Sequence, residues 1–151
     1  MAPIRKIVVA HDFSPAATRA LEIALDIGSR LAASVSVVHT YELGLPPVPF
    51  GVDPIPELDE GTAREGREAL DAVVRKAKSS GFSSIEGVLR QGTPWMEIER
   101  LAEEVDADLI VMGTHGRRGV THVLLGSTAE KVVRTAPCPV LTVRASSPGS
   151  G

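Results

Sequence analysis

Aromatic residues make up only 3% of this 151-residue chain, and basic residues are not in surplus: 16 Lys and Arg stand against 19 Asp and Glu, a formal charge of −3. Proteins that hold nucleic acid through its backbone and bases carry a cationic face and aromatic stacking platforms, so both shortages argue against that class. A single cysteine excludes an internal disulfide. No apolar run approaches the roughly 20 residues of a membrane helix. The opening MAPIRKIVVAHD offers only the run Ile7 to Ala10, too short for the apolar stretch of a signal peptide. A cytosolic protein with no nucleic-acid or membrane partner is expected. Its 43% hydrophobic and 23% charged residues suit one globular core.

What is present is a repeat of two periodicities. Ile4 to Ala10, Val35 to Thr40, Ile85 to Arg90, Leu109 to Met112 and Val140 to Val143 are short and rich in β-branched residues, and helix-period stretches separate them. After Ser14-Pro15, an N-cap followed by proline, the residues Ala17, Ala20, Leu21, Ala24, Leu25, Gly28 and Leu31 form one apolar stripe. A second stripe, Ala63, Gly66, Leu70, Val73, Val74 and Ala77, predicts a helix from about Leu58 to Ser80, with Gly81 as its left-handed C-terminal cap. A third helix opens at Thr93-Pro94 and turns Trp95, Ile98, Leu101, Ala102 and Val105 inward. Five strands linked by helices of this length predict an α/β fold, a doubly wound parallel sheet with right-handed crossovers and helices on both faces. The domain spans residues 1–144. The stretch from Tyr41 to Pro56, with five prolines, is expected to loop over the sheet's rim, and the tail from Ala145 to Gly151 is expected to be disordered.

The chemistry concentrates in GTHGRRGVTHVLLGSTAEK, Gly113 to Lys131, directly after the fourth strand. Its glycines permit close approach to the main chain. Ser127-Thr128-Ala129-Glu130 spells S-x-x-E, which predicts a capping box with Ser127 as N-cap. A helix N-terminus offers unpaired N–H groups and the positive end of the helix dipole, and Arg117 and Arg118 add charge; together these suit a phosphate. Each feature alone also has a plain reading as turn or cap. With Ser14 serving the first helix, Asp12 is expected to be spare at a strand's carboxyl end, where open parallel sheets bind ligands; the alternative is a carboxylate serving a turn.

These residues resemble the universal stress proteins, whose nucleotide-binding members carry G-x2-G-x9-G-[ST], present here as Gly113, Gly116, Gly126 and Ser127. The likeness extends to KIVVAHDFSP, to VVHTY and to AEKVVRTAPCPVLTVR, nearly the whole chain. The resemblance implies strand order 3-2-1-4-5 in an adenine nucleotide alpha hydrolase-like fold. It also implies ATP with Mg2+ at the carboxyl ends of strands one and four, and a homodimer through Val140 to Val143. It places Asp12, beside Ala10 and His11, at the ribose or base edge, the main chain of Thr40 at adenine, and Met112 and Gly113 beside the ribose. Gly116, Gly126, Ser127 and Thr128 then receive the phosphates, with His115 and Arg117 in the same loop.

Other residues point elsewhere less well. His11, His39, His115 and His122 lack metal-ligand spacing, and His115 either meets a phosphate or fills its loop. Cys138 reads as a quiet thiol, Trp95 as packing, and the charges from Glu60 to Lys78 as a solvated helix face. No G-x4-G-K-[ST] or S-G-G-x-D-S is present, so fast phosphoryl transfer is not encoded. The leading expectation is an ATP-binding switch or adaptor in stress response, working with an unidentified protein partner. The alternatives are a slow ATPase or autophosphorylating enzyme, and a nucleotide-free dimeric scaffold.

Overall fold

The computed structural model describes residues 2–42, 49–52, 56–115 and 125–145, without the side chains of 56–59. The strands are β1 (Lys6–Ala10), β2 (Ser34–Tyr41), β3 (Ile85–Gln91), β4 (Leu109–Gly113) and β5 (Val140–Val143). The helices are α1 (Pro15–Leu31), α2 (Pro56–Ser79), α3 (Pro94–Glu104) and α4 (Ser127–Thr135). All strand pairs are parallel and the order is β3-β2-β1-β4-β5.

Because strand side chains alternate between faces, the sheet divides the core in two. Ile7, Val9, Val35, Val37, Leu109 and Val111 pack with α1 and α2 through Ala20, Leu21, Ala24, Leu70 and Ala77. Val8, Val38, Ile110 and Met112 pack with α3 and α4 through Ile98, Leu101, Ala102, Ala129 and Val132. Two helices on each face are what right-handed crossovers require when winding runs outward from β1 through β2 to β3 and then returns to β4 and β5. The reversal leaves the carboxyl ends of β1 and β4 side by side, with α1 leaving one and α4 entering beyond the other.

Local signals set most boundaries. The Ser14 hydroxyl accepts from the Ala17 N–H at 3.2 Å, capping α1. Gly81 takes φ 107 just past α2. β1 begins two residues later than its apolar pattern, because the Asp108 carboxylate accepts the N–H groups of Arg5 and Lys6 at 2.9 and 3.0 Å and pins that entry. Those bonds hold its carboxyl below the usual range. The charged residues of α2 from Glu60 to Lys78 are exposed, as a solvated face demands.

Thr93 is the N-cap of α3 and Pro94 its first residue, as expected, although the Thr93 side chain makes no cap bond. Two local expectations are corrected. Leu31 is half exposed, because the buried stripe of α1 ends at Gly28 and Ala32 turns left-handed to end the helix. The predicted capping box of α4 does not form: Gly126 is the N-cap, Ser127 is the first helical residue, and Glu130 pairs with Arg134 at 2.7 Å instead of reaching back.

Candidate functional site

At the winding reversal lies a cleft of about 490 Å³, within the usual range of small-molecule sites, about 300–1,000 Å³. Ala10, His11, Asp12, Thr40, Met112, Gly113, His115, Gly126, Ser127 and Thr128 all line it, so these ten predicted positions come together. Gly116 and Arg117 lie outside the described residues, as do Arg118, Gly119 and His122, so no geometry is assigned to them.

One wall is the entry to α4. The Gly126 N–H donates to the Thr114 carbonyl at 2.6 Å, which ties this entry to the end of β4. The N–H groups of Ser127, Thr128 and Ala129, in the first turn of the helix, have no intrahelical acceptor. These three residues line the cleft at the positive end of the helix dipole.

The glycines here serve the protein's own packing. A Cβ on Gly113 would stand 2.8 Å from the Cβ of Ala16, so glycine lets α1 press against β4. A Cβ on Gly126 would stand 3.1 Å from the Thr114 oxygen. Contact with neighbouring backbone and helix accounts for glycine at these two positions.

The opposite wall starts from β1. Asp12 is engaged, not spare: its Oδ1 accepts the Ser14 N–H at 3.0 Å, closing the turn that leads into α1. The turn-serving alternative therefore holds for one carboxylate oxygen, while Asp12 also lines the cleft. His11 is buried, and its Nδ1 accepts the Phe13 N–H at 3.0 Å. Loss of solvent lowers its pKa from 6.5 to about 4, against the pull of Asp12 and with a smaller push from His39, so the ring is neutral at pH 7.

Between these walls the surface is apolar, from Val38, Ile98, Met112, Leu125 and Ala129. Ile98 and Pro94, with buried Thr114, were missed from the sequence. The stripe of α3 marked Ile98 as core; only the crossover from β3 brings the helix's first turn over the cleft. Among the described residues no three His, Cys, Asp or Glu side chains converge on a metal site. Trp95 packs on the α3–α4 side, with the Lys131 ammonium 4.9 Å from its ring, and burial pushes the Cys138 thiol up. No described helix is long and apolar enough to cross a membrane.

The profile of the universal stress protein family matches residues 3–144. A universal stress protein of Methanocaldococcus jannaschii is 38% identical over 141 residues, 93% of this chain and 82% of the relative. The solved universal stress protein UspA of Lactobacillus plantarum superposes with a TM-score of 0.81 at 29% identity, over 95% of this chain and 100% of that one. A universal stress protein solved in complex with cAMP gives 0.69 at 28% identity, over 96% and 100% of the two chains. One from Archaeoglobus fulgidus, in complex with dAMP, gives 0.65 at 30%, over 94% and 99%.

Proposed function

The chain belongs to the universal stress protein family, and from that premise we propose that it binds ATP, carried with Mg2+, in the β1–β4 cleft and acts in the cytoplasm as a nucleotide-dependent switch or adaptor in stress response. The observation that carries this reading is the opening of the α4 first turn, whose amides have no intrahelical acceptor, onto a cleft at the winding reversal that pairs an apolar surface with Asp12. Two neighbours of the same fold are solved with adenine nucleotides, cAMP and dAMP, which supports the class of ligand.

The cleft's polarity orients the nucleotide. Val38, Ile98 and Met112 supply an uncharged surface for the base, with the main chain of Thr40 at its edge. Asp12 repels phosphate and accepts hydroxyl hydrogens, so the ribose belongs beside it, with Ala10, His11, Met112 and Gly113. The phosphates then reach Gly126, Ser127 and Thr128, where amides and the dipole favour negative charge, with His115 lining the same cleft. Magnesium would enter with the nucleotide and would offset phosphate charge. Bound nucleotide would bias this one domain, residues 1–144, between states that a partner protein distinguishes.

Titration calorimetry with MgATP, ADP, cAMP, GTP and adenosine tests the proposal. Preference for adenine nucleotides over GTP is expected, and silence with all of them at millimolar ligand would overturn it. We also propose a homodimer through Val140 to Val143: β5 is an edge strand with Leu141 exposed, and pairing with a second copy would cover its unpaired backbone groups. Analytical ultracentrifugation should show a dimer that Leu141→Arg dissociates.

A further inference from the structure

Phe13 stands at φ 65, in the left-handed region where any residue except glycine is disfavoured and a bulky one is rare. Such a conformation persists only when its surroundings hold it. Here two histidines are among the holding groups, beside the apolar core against which Phe13 packs. The Phe13 N–H donates to Nδ1 of His11 at 3.0 Å. The phenyl ring contacts both imidazoles, its centroid 5.1 Å from that of His11 and 4.5 Å from that of His39. His39 in turn donates its Nδ1–H to the His11 carbonyl at 2.8 Å, so the second imidazole braces the backbone that carries the first. Asp12 sits between His11 and Phe13, at the cleft, with its Oδ1 on the Ser14 N–H.

We propose that His11 is a positioning residue: by accepting from the Phe13 amide it keeps Phe13 left-handed, and so fixes where Asp12 stands in the cleft. The inference deepens the nucleotide-binding proposal and rests on it for its effect on affinity. The device depends on a lone pair at Nδ1, which puts the ring's proton on Nε2. A protonated imidazole has no acceptor nitrogen, so the ring must resist charging. Burial provides that resistance; Asp12 on the same turn opposes it and His39 on β2 adds to it, while α2 approaches His39 with Gly66, a residue without charge. Asparagine places an oxygen near the position of Nδ1 and cannot be protonated, whereas leucine fills the space without an acceptor.

The test is a cycle of MgATP affinities for the wild type, His11→Asn, His11→Leu, Phe13→Gly and the His11→Leu/Phe13→Gly double variant. Losing the clamp lets the turn relax out of its disfavoured state, so His11→Leu should weaken MgATP binding about 5- to 30-fold at neutral pH, the size of the left-handed penalty. His11→Asn keeps an acceptor at that position and should lose at least about threefold less affinity than His11→Leu. In the Phe13→Gly background His11→Leu should cost less than about threefold, because glycine needs no clamp. Equal losses in both backgrounds, or equal losses for His11→Asn and His11→Leu, would overturn the proposal. Exchange protection of the Phe13 amide judges the clamp without nucleotide: it should persist in His11→Asn and vanish in His11→Leu, and persistence in both would also overturn it. A wild type that fails to bind MgATP would sink the nucleotide proposal and leave this amide measurement to decide the clamp.

Discussion

Replacing Ser127 with aspartate should push stability and nucleotide affinity in opposite directions. Ser127 is exposed and is the first residue of α4, so a carboxylate fits there without displacing neighbours. At a helix N-terminus a negative side chain gains about 0.3–1 kcal/mol from the dipole. For a chain of this size that raises the melting temperature by about 1–4 °C. The same dipole and the same amides are the proposed phosphate seat. A carboxylate about 4 Å from a phosphate oxygen meets a repulsion of about 1 kcal/mol per charge pair in water and about 4 kcal/mol at an effective dielectric of 20. Affinity for MgATP should therefore fall between about fivefold and about a thousandfold. Adenosine, which lacks the phosphates, should bind as it does to wild type, and 1 M salt should shrink the ATP deficit by screening. Thermal melts without ligand and calorimetric titrations with each ligand read the two effects separately. A raised melting temperature with unchanged ATP affinity would refute the phosphate seat at α4; parallel losses for ATP and adenosine would point to general damage instead.

Gly113→Ala should destabilise the protein by about 1–3 kcal/mol in a urea titration, because its Cβ would stand 2.8 Å from the Ala16 Cβ and 3.2 Å from the Ala16 carbonyl carbon. Ala32→Gly should stabilise it by about 1 kcal/mol, since Ala32 ends α1 at φ 55, ψ 41; no gain in the urea midpoint would show that the left-handed turn carries no strain. Acid should weaken the fold through His11. The unfolded chain binds its proton near pH 6.5 and the native state resists until about 4, so stability falls as pH drops through that window and levels below it. At 1.36 kcal/mol per pH unit the loss from this residue is at most about 3 kcal/mol. Denaturation series from pH 7 to pH 4 should show this slope in wild type and a shallower one in His11→Asn.

The elements were legible in the chain because their signals are local. Ser14-Pro15 opens α1, Gly81 closes α2, and the β-branched runs become strands within one or two residues of their apolar limits. Asp12, Gly113, Ser127 and Thr128 were legible as candidates that now line one cleft, because each stands near the carboxyl end of a strand or at the start of a helix. Where the local signal misled, a distant partner had intervened. S-x-x-E spells a capping box, yet the Thr114 carbonyl takes the Gly126 N–H and makes the glycine the cap. Asp12 was expected to be spare, yet the left-handed turn at Phe13 brings the Ser14 amide to its carboxylate.

By periodicity and turn chemistry alone, the sequence determined that the chain alternates strand and helix, which face of α1, α2 and α3 is turned inward, and that a glycine-rich stretch precedes a helix start. Those properties depend on residues a few positions apart, where spacing translates directly into geometry. Only the tertiary structure decided that Pro94 and Ile98 line the cleft, that the Gly113 hydrogen makes room for α1, and that two histidines, one just past β1 and one on β2, contact the Phe13 ring. Each of those contacts joins residues from separate elements, and no local pattern encodes a distance that exists only after the sheet has reversed its winding.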